Sequence, residues 1–344
     1  MSSATIMIRL ARMLALPLVL AASCPDFLSP AHPDLQDLNL NFAPPSRIHF
    51  WDAQGVFHWR PFVYRMEVID LLQGTYQEQK EHSYPLHLFV AGYPYEFLGF
   101  IPSSTHLLDS TTAGVFHPWG TDDLGRDVLA RTLAGARSTL LVLFLGIAIY
   151  SLLGVAVGAL AGMAGGWTDT LLMRFCEFVL ALPALYLVLA VRAQLPARMP
   201  FWQTAVLTAA TIASITWPPM ARGIRGLIRQ IHSAGYAEAA RALGASPWQI
   251  FRRHMLPALA PFALAQTVVA APIFILGEVI LSFLNVGFQE AAVSWGAMLR
   301  NLRDPRVLTD FWWNLAPLAF VFLTLFCLNN LGKQLARRDP SQLA

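Results

Sequence analysis

Six apolar runs, each about 20 residues long, constrain the fold of this chain most strongly, because such a run spans a bilayer as an α-helix. The runs lie near residues 7–23, 138–162, 170–191, 201–219, 262–286 and 312–332. The chain is 56% hydrophobic and 13% charged, whereas about a quarter of the residues in a soluble domain are charged. We therefore expect an all-α integral membrane protein with about six transmembrane helices and a small β-rich extracytoplasmic insert.

The positions of the basic residues indicate the orientation, because cytoplasmic loops carry an excess of Lys and Arg. The inside set comprises Arg222, Arg225, Arg229, Arg241, Arg252 and Arg253 in the 220–261 loop, Lys333, Arg337 and Arg338 after the last run, and Arg9 and Arg12 before the first. Arg192, Arg198, Arg300, Arg303 and Arg306 would lie outside. The balance favours cytoplasmic N- and C-termini. The net charge of +3 gives no case for a nucleic-acid partner.

Residues 1–24 have two interpretations. A basic start, a short apolar run and small residues before Cys24 are typical of a cleaved secretory signal. The alternative is a retained first transmembrane helix, which we favour because the later runs then form a consistent topology. The run is short for a span, so both interpretations stay open.

A polar segment rich in aromatics and prolines, residues 25–118, separates the first two runs. Apolar stretches on both sides of Asp52–Gly55 predict a β-hairpin, and Tyr84–Gly92 reads as a further strand. The segment also contains His58, His82, His87 and His106. Their spacing matches no metal-ligand pattern, so we expect packing or surface roles and no metal site.

The most informative polar segment lies between the fourth and fifth runs. Tyr236–Leu243 consists of strong helix formers, and Gly244 is suited to end that helix in a left-handed conformation. Ser246 is a natural N-cap, followed by a second short helix over Pro247–His254. Leu256–Pro257 is expected to close this helix. The pattern predicts a helical hairpin on the cytoplasmic side.

This segment resembles the EAA loop of bacterial ABC importer permeases, in which Glu-Ala-Ala, three residues, Gly, a spacer and Leu-Pro dock a cytoplasmic ATPase. The matching residues are Glu238, Ala239, Ala240, Gly244, Leu256 and Pro257. The resemblance implies that the 236–257 loop couples the chain to an ATPase, with Ser246, Pro247, Trp248, Phe251, Arg252 and His254 as further contacts. An ordinary amphipathic connection is the alternative, but it does not require this combination.

A second motif precedes the second run. Its acidic residues beside Arg126 suggest an acid–base or metal site, but we expect a structural role in which Thr121 or Asp122 caps a helix. The motif comprises Gly120, Thr121, Asp122, Gly125, Arg126 and Asp127. It resembles His-Pro-x-Gly-Thr-Asp-x-x-Gly-Arg-Asp of the dipeptide, oligopeptide and nickel branch of these permeases. We expect no catalytic residue here.

Several groups within the runs indicate helix packing. Gly154, Gly158 and Gly162 have the small-xxx-small spacing that brings helix backbones together. Pro183 and Pro272 are expected to kink their helices. Gly165–Asp169 reads as a tight turn similar to a Gly-Gly-Trp-x-Asp turn of the same family.

Three residues are candidates for the gate or pathway. Glu278 falls mid-span, where a carboxylate must face protein or water. Asn285 and Trp295 lie in segments similar to the family's Leu-Ser-Phe-Leu-Gly-Leu-Gly-x-Gln and Ser-Trp-Gly-x-Met-Leu, with Asn285 in place of the first Gly. Glu278 has structural alternatives, such as pairing with Arg or with a neighbouring helix.

Together the motifs identify the chain as a permease subunit of a type I ABC importer, with peptides as the expected substrate and nickel complexes or peptide-like antibiotics as alternatives. The resemblance implies a second homologous permease, two ABC ATPase subunits, an extracytoplasmic solute-binding protein and an inner-membrane location. The sequence contains no Gly-x-x-x-x-Gly-Lys-[Ser/Thr] phosphate loop, so we expect ATP and Mg²⁺ on the partner subunits and no cofactor on this chain. A channel, a receptor or a membrane-embedded enzyme remains an alternative class.

Overall fold

The computed structural model describes residues 13, 18–70, 74–98, 100–110, 112, 114–183, 186–187, 189–190, 196, 199–232, 244, 246–288 and 292–337. The chain divides into two compact units. The first is built mainly from Leu141–Glu278, and the second from Arg12–Leu140 and Val279–Thr324.

Within the described ranges, six long helices account for most of the regular structure. They are α1 (Val128–Ala164), α2 (Gly166–Ala181), α3 (Phe201–Thr216), α4 (Pro218–His232), α5 (Leu256–Phe283) and α6 (Ala316–Arg337). Short helical segments cover Pro25–Leu28, Leu38–Leu40, Pro247–Ile250, Phe251–Met255, Trp295–Met298, Leu299–Arg303, Pro305–Thr309 and Trp312–Leu315.

Within the described residues, three helical segments are long and apolar enough to cross a membrane: Val128–Ala164, Leu256–Phe283 and Trp312–Gly332. These coincide with the runs predicted near 138–162, 262–286 and 312–332. Most of the run at 7–23 lies outside the described residues. Helices α2 and α3, in the runs at 170–191 and 201–219, have 16 residues each, so the number of spans stays a prediction.

Proline explains why α2 is short. The helix ends at Ala181, and Leu182 is already extended, with φ −72° and ψ 130°. A residue before proline is driven out of the α region by the proline ring. Residues 186–187 and 189–190 are helical again, so the run is interrupted at the predicted proline, by the end of α2 rather than by a bend within it. Pro272 lies inside α5, as expected, together with Pro261.

Residues 49–110 contain a four-stranded antiparallel sheet in the order β1 (His49–Trp51), β2 (Phe57–Asp70), β3 (Thr75–Phe97) and β4 (Ile101–Ser110). The hairpin expected at Asp52–Gly55 joins β1 to β2, with Trp51 opposite Phe57. The Asp52 carboxylate accepts the Val56 N–H at 2.8 Å, and Gly55 takes φ +82°. The strand expected at Tyr84–Gly92 lies within β3.

The first unit is centred on close packing between α1 and α4. Residues Met220, Ala221, Ile224 and Ile228 of α4 are completely buried. They lie against the glycines of α1: a Cβ on Gly158 would be 2.5 Å from the Ala221 carbonyl oxygen, and one on Gly162 would be 2.8 Å from Ile228 Cβ. The predicted small-xxx-small packing is confirmed, and α4 is the partner helix.

Candidate functional site

The 236–257 loop, named the coupling segment from here on, follows α4, which ends at His232. Residues 233–243, which include Glu238, Ala239 and Ala240, lie outside the described residues. Gly244 has φ +82°, the left-handed conformation that its sequence position predicts. The Ser246 hydroxyl accepts the Gln249 N–H at 3.3 Å, and the Gln249 side chain accepts the Ser246 N–H at 2.8 Å. This reciprocal pair is a capping box, so Ser246 is confirmed as an N-cap.

The capped helix continues into α5 without a break. Pro247–Ile250 is α-helical, Phe251–Met255 forms a π-helical turn, and α5 begins at Leu256. The Leu256 N–H donates to the Phe251 carbonyl, five residues back. The prediction that Leu256–Pro257 ends the short helix is therefore wrong. Pro257 lies in the first turn of α5, and the wider π turn before it accommodates the missing proline N–H.

The coupling segment has a buried side and an exposed basic side. Ile250, Met255 and Leu259 are 1–3% exposed. Arg252 and Arg253 are exposed, as are Leu256 and Pro257, whereas Phe251 is half-buried. The side chains of Pro247, Trp248 and His254 lie outside the described residues. The exposed arginines form a cationic surface suited to an acidic rim on a partner protein.

An ion cluster joins the start of α2 to α4. The Asp169 carboxylate accepts Arg225 Nη2 at 2.6 Å, and it also accepts Arg225 Nε and one Nη of Arg229. The Asp169 side chain is 6% exposed. Gly165 and Gly166, both with positive φ, form the turn that places it there. The sequence pattern indicates the turn but not its arginine partners.

The motif at 120–127 folds as a tight loop that fastens an earlier part of the chain. The Thr121 hydroxyl accepts the Ala43 N–H at 2.8 Å and donates to the Leu40 carbonyl. The Asp122 carboxylate accepts the Arg126 backbone N–H at 3.0 Å and Arg126 Nε at 2.7 Å. Burial raises the pKa of Asp122.

Asp127, rather than Thr121 or Asp122, caps α1. Its carboxylate accepts the Ala130 N–H at 2.7 Å and pairs with His117 Nδ1 at 2.9 Å. The predicted cap is wrong because Thr121 and Asp122 are used in the loop that precedes the helix. Gly120 and Gly125 have positive φ, and a Cβ on Gly125 would meet the Asp37 carbonyl. These contacts hold the loop against residues 37–43 and fix the start of α1.

Asp109, at the end of β4, is a buried carboxyl in the second unit. It is 7% exposed and accepts the Ser110 N–H at 2.7 Å. Burial raises its pKa to about 6, and the nearby His106 and His117 oppose that rise. The folded protein therefore favours the protonated form of this carboxyl at a higher pH than the unfolded chain does.

Asn285, one of the three gate or pathway candidates, lies in the C-terminal capping motif of α5. Asn285 has φ +65°. The Val286 N–H bonds to the Leu281 carbonyl at 2.8 Å, and the Asn285 N–H bonds to the Ser282 carbonyl at 3.1 Å. These are the two bonds of a Schellman motif, in which the left-handed residue is usually Gly and sometimes Asn. Asn285 thus takes the left-handed position of this motif, which Gly most often occupies.

The other two gate candidates are buried. Glu278 is 0% exposed within α5. Trp295 is 1% exposed, and its indole N–H donates to the Thr132 carbonyl at 2.9 Å. A Cβ on Gly135 would lie 3.1 Å from the Trp295 ring. The Trp295 side chain therefore packs a helix crossing within the second unit, and its part in a gate stays a prediction.

Comparisons with known proteins agree on one family for this chain. Residues 154–338 match the family described as binding-protein-dependent transport system inner membrane component. The dipeptide transport system permease protein DppC of Bacillus subtilis is 36% identical to this chain over 217 residues. The matched region covers 63% of this chain and 66% of DppC, so the chain spans just under two thirds of that relative's length.

Two further relatives match longer stretches. A putative peptide permease protein of Brucella suis is 31% identical over 250 residues, 72% of this chain and 80% of the relative. The glutathione transport system permease protein GsiD of Pectobacterium atrosepticum is 33% identical over 240 residues, 70% and 74% of the two chains. The chain therefore belongs to the family of binding-protein-dependent transport system inner membrane components, the permease subunits of type I ABC importers.

Proposed function

We propose that this chain is a membrane permease subunit of an ATP-driven peptide importer. It forms half of the translocation pore, and a second homologous permease forms the other half. Two ABC ATPase subunits bind its 236–257 loop from the cytoplasm, and an extracytoplasmic solute-binding protein delivers the peptide. Relatives named for dipeptides and glutathione support peptides as the substrate class.

The capped helix of the coupling segment carries this proposal. A left-handed Gly244 and the Ser246–Gln249 capping box fix where the helix at Pro247 begins. The short helix at Pro247 is continuous with α5, which is long enough to span the membrane. A force on the short helix therefore acts directly on α5. Exposed Arg252 and Arg253 supply the charge for docking.

The proposed topology has six transmembrane helices, a cytoplasmic 220–261 loop, cytoplasmic termini and an extracytoplasmic insert over 25–118. The basic residues of α4 and the coupling segment support this orientation. Helix α1 has 37 residues, or about 55 Å at 1.5 Å per residue, well beyond the hydrocarbon core. Its C-terminal glycines, which hold α4, then lie at the cytoplasmic end.

ATP hydrolysis is assigned to the partner subunits. This chain contributes docking, helix movement and a peptide path, and no bond in the peptide is broken. ATP brings the two ATPase subunits together, the coupling helices move with them, and the transmembrane helices change from one access state to the other.

Affinity purification from native membranes tests the proposal, with identification of the subunits that remain bound. Gly244→Asp is expected to remove the ATPase, because it strains the left-handed turn before the docking helix. Gly55→Asp is the matched control: Gly55 has the same φ of +82°, and neither glycine has an atom within 4 Å of an added Cβ. Gly55→Asp should keep the ATPase. Absence of an ATPase and a second permease from the unmutated sample would overturn the proposal.

A further inference from the structure

Helix α4 connects α3 to the coupling segment. It ends at His232, four residues before the loop's first residue, Tyr236. One side of α4 is buried against the glycines of α1. Groups of α4 pack directly over these glycines, so this contact holds the two helices together by packing, without charged side chains.

The Asp169 cluster supplies a directional contact. Arg225 donates hydrogen bonds from Nε and Nη2 to the two oxygens of the Asp169 carboxylate. Arg229, one turn later on α4, donates to the same carboxylate. Two-point binding of a carboxylate by arginine fixes orientation as well as distance. The side chains of Asp169, Arg225 and Arg229 are 6%, 27% and 48% exposed, so water screens the carboxylate less than it would an ion pair on the surface.

We propose that Asp169 is a positioning residue for energy coupling: it fastens α4 to the α1–α2 turn, so that movement of the docked loop moves α1 and α2 together with α4. This role rests on the proposed importer function. A carboxylate shared by two arginines of one helix resists both sliding and rotation of that helix. Without it, part of each ATP-driven movement of the loop is lost as slippage of α4.

A matched ion pair on α2 distinguishes this role from general surface electrostatics. Arg174 and Glu177 form a 2.8 Å pair on the same helix, with side chains 76% and 51% exposed. Glu177→Gln removes one carboxylate from α2, as Asp169→Asn does, but leaves the contacts of Asp169 with Arg225 and Arg229 in place.

The experiment uses the complete complex, with both permeases and both ATPases, reconstituted in liposomes with its solute-binding protein. Uptake of radiolabelled trialanine and ATP hydrolysis are measured in parallel at equal amounts of assembled complex. Asp169→Asn is expected to keep bound ATPase and ATP hydrolysis within about twofold of wild type, while peptide transported per ATP falls about tenfold. Asp169→Glu, which restores the charge, should recover most of the ratio, and Glu177→Gln should leave it unchanged.

An unchanged transport ratio in assembled Asp169→Asn complex would overturn this role and leave the proposed function intact. If Asp169→Asn does not assemble, Arg225→Lys replaces it, because Lys keeps the charge and loses the two-point grip; a wild-type ratio in that variant would again overturn the role. A wild-type complex that binds trialanine through its binding protein but shows no ATP-driven uptake would instead overturn the proposed function, and the role of Asp169 with it.

Discussion

Replacing Gly158 by alanine tests whether the α1–α4 groove determines the stability of the first unit. The added Cβ would lie 2.5 Å from the Ala221 carbonyl oxygen, 2.8 Å from Ile224 Cβ and 3.0 Å from Ala221 Cα. Two of these atoms belong to the backbone of α4, so the helices must separate. Overpacking of this kind costs about 1–3 kcal/mol. Alanine is a better helix former than glycine, which returns up to about 1 kcal/mol.

After the full helix-propensity gain is subtracted, Gly158→Ala is expected to lose up to about 2 kcal/mol in the free energy of unfolding, measured by thermal unfolding of the purified protein in detergent. Gly226→Ala is the matched control, because Gly226 lies in α4 and has no atom within 4 Å of an added Cβ. It should be neutral or stabilising. Gly154→Ala should also destabilise the protein, because its added Cβ would lie 2.3 Å from Met220 Cγ and 2.6 Å from Met220 Cβ, close to the backbone of α4. A Gly158→Ala protein as stable as Gly226→Ala would refute the reasoning.

Three further outcomes are expected. Asn285→Gly should keep stability and transport, whereas Asn285→Val should cost about 1–2 kcal/mol in thermal unfolding, because a β-branched residue resists the left-handed C-cap. Ser246→Ala should remove about 1 kcal/mol of helix capping and weaken ATPase retention in pull-downs; Ser294→Ala, which removes the cap of Trp295–Met298, should leave retention unchanged. For Asp109, the raised folded pKa of about 6, against an ordinary 3.8, means that stability falls as pH rises from about 4 to 6. Asp109→Asn should flatten that part of the pH profile and stabilise the protein at pH 7.

Local chemistry made the start of the second helix of the coupling segment predictable. Gly244 takes the left-handed conformation because it has no Cβ, the Ser246 hydroxyl caps the helix that follows, and that helix begins at the expected residue. The hairpin at Asp52–Gly55 follows from turn chemistry in the same way. Features that depend on competition between neighbours were not predictable: Asp127 caps α1 because Thr121 and Asp122 are already used by the loop before it.

Contacts between residues far apart in the sequence were the main feature that could not be predicted. The glycine spacing in α1 predicted a close helix contact, but nothing in that spacing indicates that α4 is the partner. Arg225 and Arg229 read from sequence only as positive-inside residues, although they bind Asp169 some 56 and 60 positions earlier. The sequence shows a carboxylate in a double-glycine turn and, elsewhere, two arginines one helical turn apart. This pattern does not identify the pairing until the fold brings Asp169 next to the two arginines.

The central claim is that an ATPase docks on the 236–257 loop, and site-specific photo-crosslinking in native membranes tests it most directly. A benzophenone amino acid at exposed Arg252 should give an adduct with an ABC ATPase subunit. The same probe at Arg65, an exposed residue of β2 in the insert, should give none. An ATPase adduct from Arg65, or from neither position in a complex that retains its ATPase, would contradict the account.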